Sequence, residues 1–261
     1  MVKSFSFKDL LIAKAKQKSE AAKARAHSDP TLEKPRDIIL AACARMGEQL
    51  KGDGFSFQKS GPRLKRIQND LTFEIYFSSD SNNRAGRRAA VWIYATVLSR
   101  KLANWRRDHT SERVRREGRY AGTIAGAQIG NLASPPAWMG WDFADKASRL
   151  SQVDDAVAAI RQIILPFFAM FEDPARSVSI LIHYPLYWQE SLLEYAMSNI
   201  NQEAAETAGR SFLRNNPEVQ KRFERAFAEF TERGVPRYSS NVGSDLAALA
   251  IATNLDLNLA D

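Results

Sequence analysis

An α+β fold is predicted by three observations. Hydrophobic residues alternate at period two between about residues 55 and 130, apolar stripes recur at helical period beyond about residue 150, and Gly, Pro and Asn punctuate the changes. The expected architecture is an antiparallel sheet of about five strands in the N-terminal half, packed by helices mainly from the C-terminal half. The 261 residues, 44% hydrophobic, suffice to bury ~70–75% of the unfolded surface.

The first element is a basic helical extension, residues 1–29. It reads "KDLLIAKAKQKSEAAKARAH" over Lys8–His27, rich in helix formers but apolar mainly at Leu10, Leu11 and Ile12. A single α+β domain is placed at 30–234 and a C-terminal tail at 235–261. Within the domain, Ile39, Cys43, Met46 and Leu50 form a helical stripe, which makes Cys43 a small buried hydrophobe rather than a reactive thiol. "KGDG" (Lys51–Gly54) then turns the chain.

Strands follow. "FSFQKS" (Phe55–Ser60) begins to alternate, and "RLKRIQN" (Arg63–Asn69) is a weaker candidate whose apolar members are Leu64 and Ile67. "LTFEIYFS" separates Leu71, Phe73, Ile75 and Phe77 from Thr72, Glu74, Tyr76 and Ser78, two opposite faces of one strand. "AAVWIYATVLS" (Ala89–Ser99) and "RYAGTIAGAQIGNL" (Arg119–Leu132) supply two more. Short turns between consecutive strands imply an antiparallel meander with one face covered.

The second half is helical. Val153, Val157, Ile160 and Ile164 make a stripe that ends or kinks before Pro166. A helix starts near Trp188, and it or a successor runs on through "NQEAAETAGRSFLR". The last predicted helix has Asn216 as its cap and Pro217 at its first position. Its stripe is Val219, Phe223, Phe227 and Phe230, and Gly234 and Pro236 end it.

No catalytic motif stands out, so a non-catalytic role is expected. His27, His109 and His183 lack a second His or a Cys at ligand spacing, which argues against a metal. Gly122, Gly126 and Gly130 do not match a phosphate loop. The pairs Asp142/Asp145 and Asp154/Asp155 have no identifiable acid–base partners, and the second pair suits the first turn of a helix. No cofactor is called for. One cysteine excludes a disulfide framework. The longest apolar run, near Ile163–Phe171, is too short for a membrane span, and Lys14, Lys16 and Lys18 interrupt any signal-peptide core. A cytoplasmic location is expected.

Charge is the one functional pointer. The net charge is +7, yet residues 84–119 alone hold eleven Lys/Arg against three Asp/Glu, while residues 120–261 hold eleven against seventeen. Arg84, Arg87, Arg88, Arg100, Lys101, Arg106, Arg107, Arg113, Arg115, Arg116 and Arg119, with Trp105 for stacking, are therefore the candidate binding residues. Arginine suits bidentate contact with carboxylate or phosphate. The expected function is binding of an acidic protein partner through this Arg-rich surface; the alternative is nucleic acid on the same surface. The acidic second half could also meet this stretch within one chain or in a homo-oligomer.

The stretch "GDGFSFQKSGPRLKRIQNDLTFEIYFSSD", followed by "GAQIGNLASPPAWMGWDFAD" and "VAAIRQIILPFFAMFED", resembles an uncharacterised bacterial domain family. Its marks are a GF…R hairpin, a GNL loop and an LPFF helix, and the likeness covers roughly Ala42–Phe230. The resemblance implies a small bacterial accessory or immunity-like factor, and transfers no site residues.

Overall fold

The computed structural model describes residues 32–184, 186, 188–236 and 241–258. The basic extension expected over residues 1–29 lies outside the described residues. Helix α1 (Pro35–Gln49) starts with proline at its first position and buries Ile38, Ile39, Ala42, Cys43 and Met46. Burial pushes the Cys43 thiol up to about 12, so it stays protonated and inert at neutral pH. Gly54, at φ 84°, closes the turn that follows.

Strands β1 (Ser56–Gln58), β2 (Arg63–Gln68), β3 (Leu71–Ser79), β4 (Ala90–Ser99) and β5 (Thr123–Gln128) form an antiparallel sheet in sequence order. A sixth strand, β6 (Trp141–Asp142), which sequence reading did not anticipate, pairs with the start of β4. The α+β class holds, with the sheet in the N-terminal half and the helices mostly C-terminal.

The sheet has two different faces. Phe73, Ile75 and Phe77 of β3 and Val91, Ile93, Ala95 and Val97 of β4 are buried on the inner one. Phe168 of α4 (Leu165–Ala169) packs there, 4.8 Å from Phe73 and 6.3 Å from Phe55 between ring centroids. The outer face carries Arg63, Lys65 and Ile67 of β2, then Thr72, Glu74, Tyr76 and Ser78 of β3. Trp92, Tyr94, Thr96 and Leu98 of β4 complete it. Leu64 and Ile67, both offered from the sequence as apolar members of β2, point oppositely because they lie an odd number of residues apart. Arg66 takes the inner position instead, its guanidinium over the rings of Phe73 and Phe55 at 4.8 and 5.2 Å.

Beyond the sheet come α3 (Arg149–Ala159), α4, α5 (Pro174–Leu181), α6 (Gln189–Asn199), α7 (Gln202–Asn215) and α8 (Pro217–Arg233). A π-helical turn, Ile160–Ile164, joins α3 to α4, and Pro166, expected to end or kink the helix, lies in the first turn of α4. Asn216 does not cap α8 with its side chain; its amide donates to the Phe212 carbonyl of α7 instead. Phe227 lies partly exposed, whereas Phe223 is buried.

The segment read as a C-terminal tail contains helix α9 (Val242–Thr253), capped by the Asn241 side chain. Leu246, Ala247, Leu249 and Ala250 of α9, with Leu255 and Leu257 after it, are buried in the core. Residues 246–252 are an unbroken apolar run with no polar face between them, which is why helical periodicity did not mark the helix.

Candidate functional site

Where the twelve candidate residues fall decides what surface exists. Ser99 caps helix α2 (Arg100–Asp108) by accepting from the Leu102 N–H, so the first part of the Arg-rich stretch is a helix. Arg106 is a correction to the expected surface. It is fully buried, and its Nε donates to Glu194 Oε2 at 3.0 Å while Nη1 reaches the carbonyls of Ala121 (2.6 Å) and Thr123 (2.9 Å). Its Nη2 bonds Glu194 and Ser191. One arginine thereby ties α2, α6 and the start of β5 together.

Trp105 packs against the core and lies 4.9 Å from the His109 ring, which makes it an anchor. Arg113 pairs with Glu190 (3.1 Å) and Asp245 (2.9 Å), and Arg116 with Glu190 (3.4 Å) and Glu194 (3.8 Å). Glu190 sits at the centre of this cluster. Burial, with the neighbouring Glu194 carboxylate, pushes it up to about 7 against the pull of Arg113 and Arg116. Arg107 and Arg115 are exposed but matched locally by Asp108 and Glu117. The acidic second half therefore meets much of the basic stretch within the same chain.

Three groups of cations remain outward. Arg84, Arg87 and Arg88 sit in the β3–β4 turn, where Arg88 pairs with Asp80 at 2.9 Å. Arg100 and Lys101 lie at the start of α2, at the opposite end of β4. The Asp70 carboxylate holds that end in place by accepting from the Lys101 N–H (2.8 Å) and the Ser99 hydroxyl. Arg119 reaches back over the sheet and donates to both oxygens of Glu74 at 3.0 and 2.8 Å.

Arg119 leads to a feature the sequence reading missed. On the outer sheet face, a depression of about 290 Å³ is lined by Arg63, Lys65, Glu74, Arg100 and Arg119, with Gln58, Thr72 and Leu98. Gln58 orients Arg63 by accepting from its Nε at 2.7 Å. Glu74 offsets Arg119. Among the described residues, Arg63 and Lys65 have no carboxylate within 4 Å, and Arg100 stands 4.0 Å from Asp70. The depression is a net cationic site assembled from β2, β3, α2 and the loop before β5.

Aromatic rings continue from it along the same face. Tyr76 lies directly opposite Tyr94, and Trp92 opposite Ser78. Trp138 covers Trp92 with centroids 5.2 Å apart. Tyr76 is 44% exposed, Trp138 61% and Ile67 67%. Tyr120 is also exposed, at the cationic end, with the Arg119 guanidinium 5.0 Å from its ring. The signal for this face was present in the alternation Trp92, Tyr94, Thr96, Leu98, but sequence reading weighed charge runs rather than strand faces.

Asp142, Asp145 and Asp154 accept hydrogen bonds from neighbouring groups of the chain. Asp142 accepts from the N–H groups of Ala89 and Ala144, and Asp145 from those of Ala147 and Ser148. Asp154 accepts from Gln49. His183 lies 3.4 Å from the Ser211 hydroxyl. Among the described residues, no group of three His, Cys, Asp or Glu side chains is placed to hold a metal ion, and no helix is long and apolar enough to cross a membrane. The chain matches no protein-family model, no curated protein and no solved structure, so neither a relative nor the family resemblance of its motifs assigns it a role.

Proposed function

We propose that this protein binds an acidic macromolecule across the outer face of its sheet. The observation that carries this reading is the arrangement on and around β4. Lys65, Arg100 and Arg119 gather toward one end of the strand, Arg84 and Arg87 stand beyond the other, and Tyr76, Tyr94, Trp92 and Trp138 fill the distance between, with Arg63 of β2 beside Tyr76. Arginine, tyrosine and tryptophan are the side chains that dominate binding energy at macromolecular contacts: the two aromatics offer a large area at small conformational cost, and arginine a planar fork of donors. The binding surface thus moves from the Arg106–Arg116 stretch, whose charges are mostly answered internally, to the sheet.

Retention on immobilised heparin, a generic polyanion, tests the reading. K65E/R100E is expected to elute at clearly lower salt than the wild-type chain. R107E/R115E makes the same change in net charge away from the face and is expected to elute close to wild type. Equal shifts for the two pairs would mean that total charge, not this face, governs binding.

A further inference from the structure

Resting on that reading, we infer that the partner of the sheet face is a single-stranded nucleic acid, with phosphates on the cationic ends and unpaired bases on the aromatic rings. Charge by itself would serve duplex, single strand or acidic protein alike. The rings discriminate.

Carboxylates offer Tyr76 and Trp138 nothing to stack on. Bases in a duplex are already stacked on one another and keep their faces hidden, whereas every unpaired base presents a planar face to an exposed ring. The rings are also spaced for a strand. From Leu98 to Trp92 the outer face of β4 runs six residues, ~20 Å at ~3.3 Å per residue, with Tyr94 and its opposite Tyr76 between the cationic depression and the Trp92–Trp138 pair.

Charge follows the same line. Lys65 and Arg100 at the depression and Arg84 and Arg87 at the β3–β4 turn bracket the rings, and Arg63 stands beside Tyr76. A backbone laid along β4 would therefore meet positive charge on entering and on leaving. The Arg119–Glu74 pair sits between Lys65 and Tyr120, so one cation is already fixed in position beside a ring.

The test compares fluorescence anisotropy of a labelled mixed-sequence 12-nucleotide single strand with the same sequence as a duplex, and with poly-glutamate as competitor. The single strand is expected to bind at least tenfold more tightly than the duplex at equal salt. Its log–log salt slope is expected near −2, about −0.7 for each of roughly three phosphates neutralised. Y76A/W138A is expected to weaken single-strand binding at least tenfold. Y76F/W138F, which keeps rings at both positions, is expected to restore most of the affinity.

Equal affinity for duplex, ready displacement by poly-glutamate, or indifference to Y76A/W138A would overturn the single-strand assignment while leaving polyanion binding intact. Loss of the contrast between K65E/R100E and R107E/R115E on heparin would remove the sheet-face reading itself.

Discussion

Arg106 illustrates how a residue chosen for its charge becomes part of the core. Its donors are taken by Glu194, Ser191 and two backbone carbonyls, so deleting Arg106 leaves Glu194 buried with only the longer contact to Arg116 at 3.8 Å. R106M is expected to lower unfolding free energy by about 3–5 kcal/mol, read by urea denaturation. R106M/E194L, which removes both charges, is expected to recover much of that loss. Glu190 makes a second residue-scale case. Its folded value of about 7 lies above the ordinary 4.5, so between those limits the folded chain holds more protons than the unfolded one. This group's contribution is therefore complete below about pH 4.5 and lost as pH rises through 7, by up to about 3 kcal/mol. Glu194 and Asp245 add to the rise that burial causes, while Arg113 and Arg116 oppose it. E190Q is expected to melt above wild type at pH 8 and to match it near pH 5. A melting temperature lower than wild type at pH 8 would mean that the ion pairs to Arg113 and Arg116 outweigh burial.

Among the elements, α9 buries Leu246, Ala247, Leu249 and Ala250 in the core. Gly243, at its start, faces the backbone of α8: an added Cβ would stand 2.8 Å from the Val219 carbonyl oxygen and 2.9 Å from the Phe223 nitrogen. Backbone cannot yield as a flexible side chain does. G243A is expected to cost about 1–3 kcal/mol, measured as a shift of the denaturation midpoint. Removing residues 237–261 takes away the buried Leu246, Leu249, Leu255 and Leu257, and a shortened chain is expected to lose cooperative melting. Strand β4 is the corresponding element for binding. Its inner residues belong to the core, while its outer residues Trp92 and Tyr94 are only half buried, so ring-to-phenylalanine changes there are expected to leave the fold unaltered.

For the molecule as a whole, opposite charges are partly sorted between the two halves of the chain and then brought together. Arg106, Arg113 and Arg116 meet Glu190, Glu194 and Asp245 from the acidic half, while Arg63, Lys65 and Arg100 are left on the outer sheet face. Polyanion retention that falls steeply with salt, and falls first for K65E/R100E, is the expected molecular signature.

Period-two alternation and helical stripes were enough to identify the sheet, its strand order and most helices, because burial on one face is a local pattern that each segment records by itself. The side on which Ile67 points followed from simple parity. Helix α9 escaped because its apolar run, residues 246–252, shows no polar face, and the short helices α2 and α5 were not expected either. The fate of the arginines was beyond local reading altogether: Arg106 and Glu194 are separated by 88 positions, and only folding places a carboxylate in a guanidinium's reach. Composition thus determined that positive charge would be abundant and where along the chain it would lie. Tertiary structure decided which charges are cancelled inside and which stand beside exposed rings, since cancellation depends on distance in space, and distance in space is set by packing.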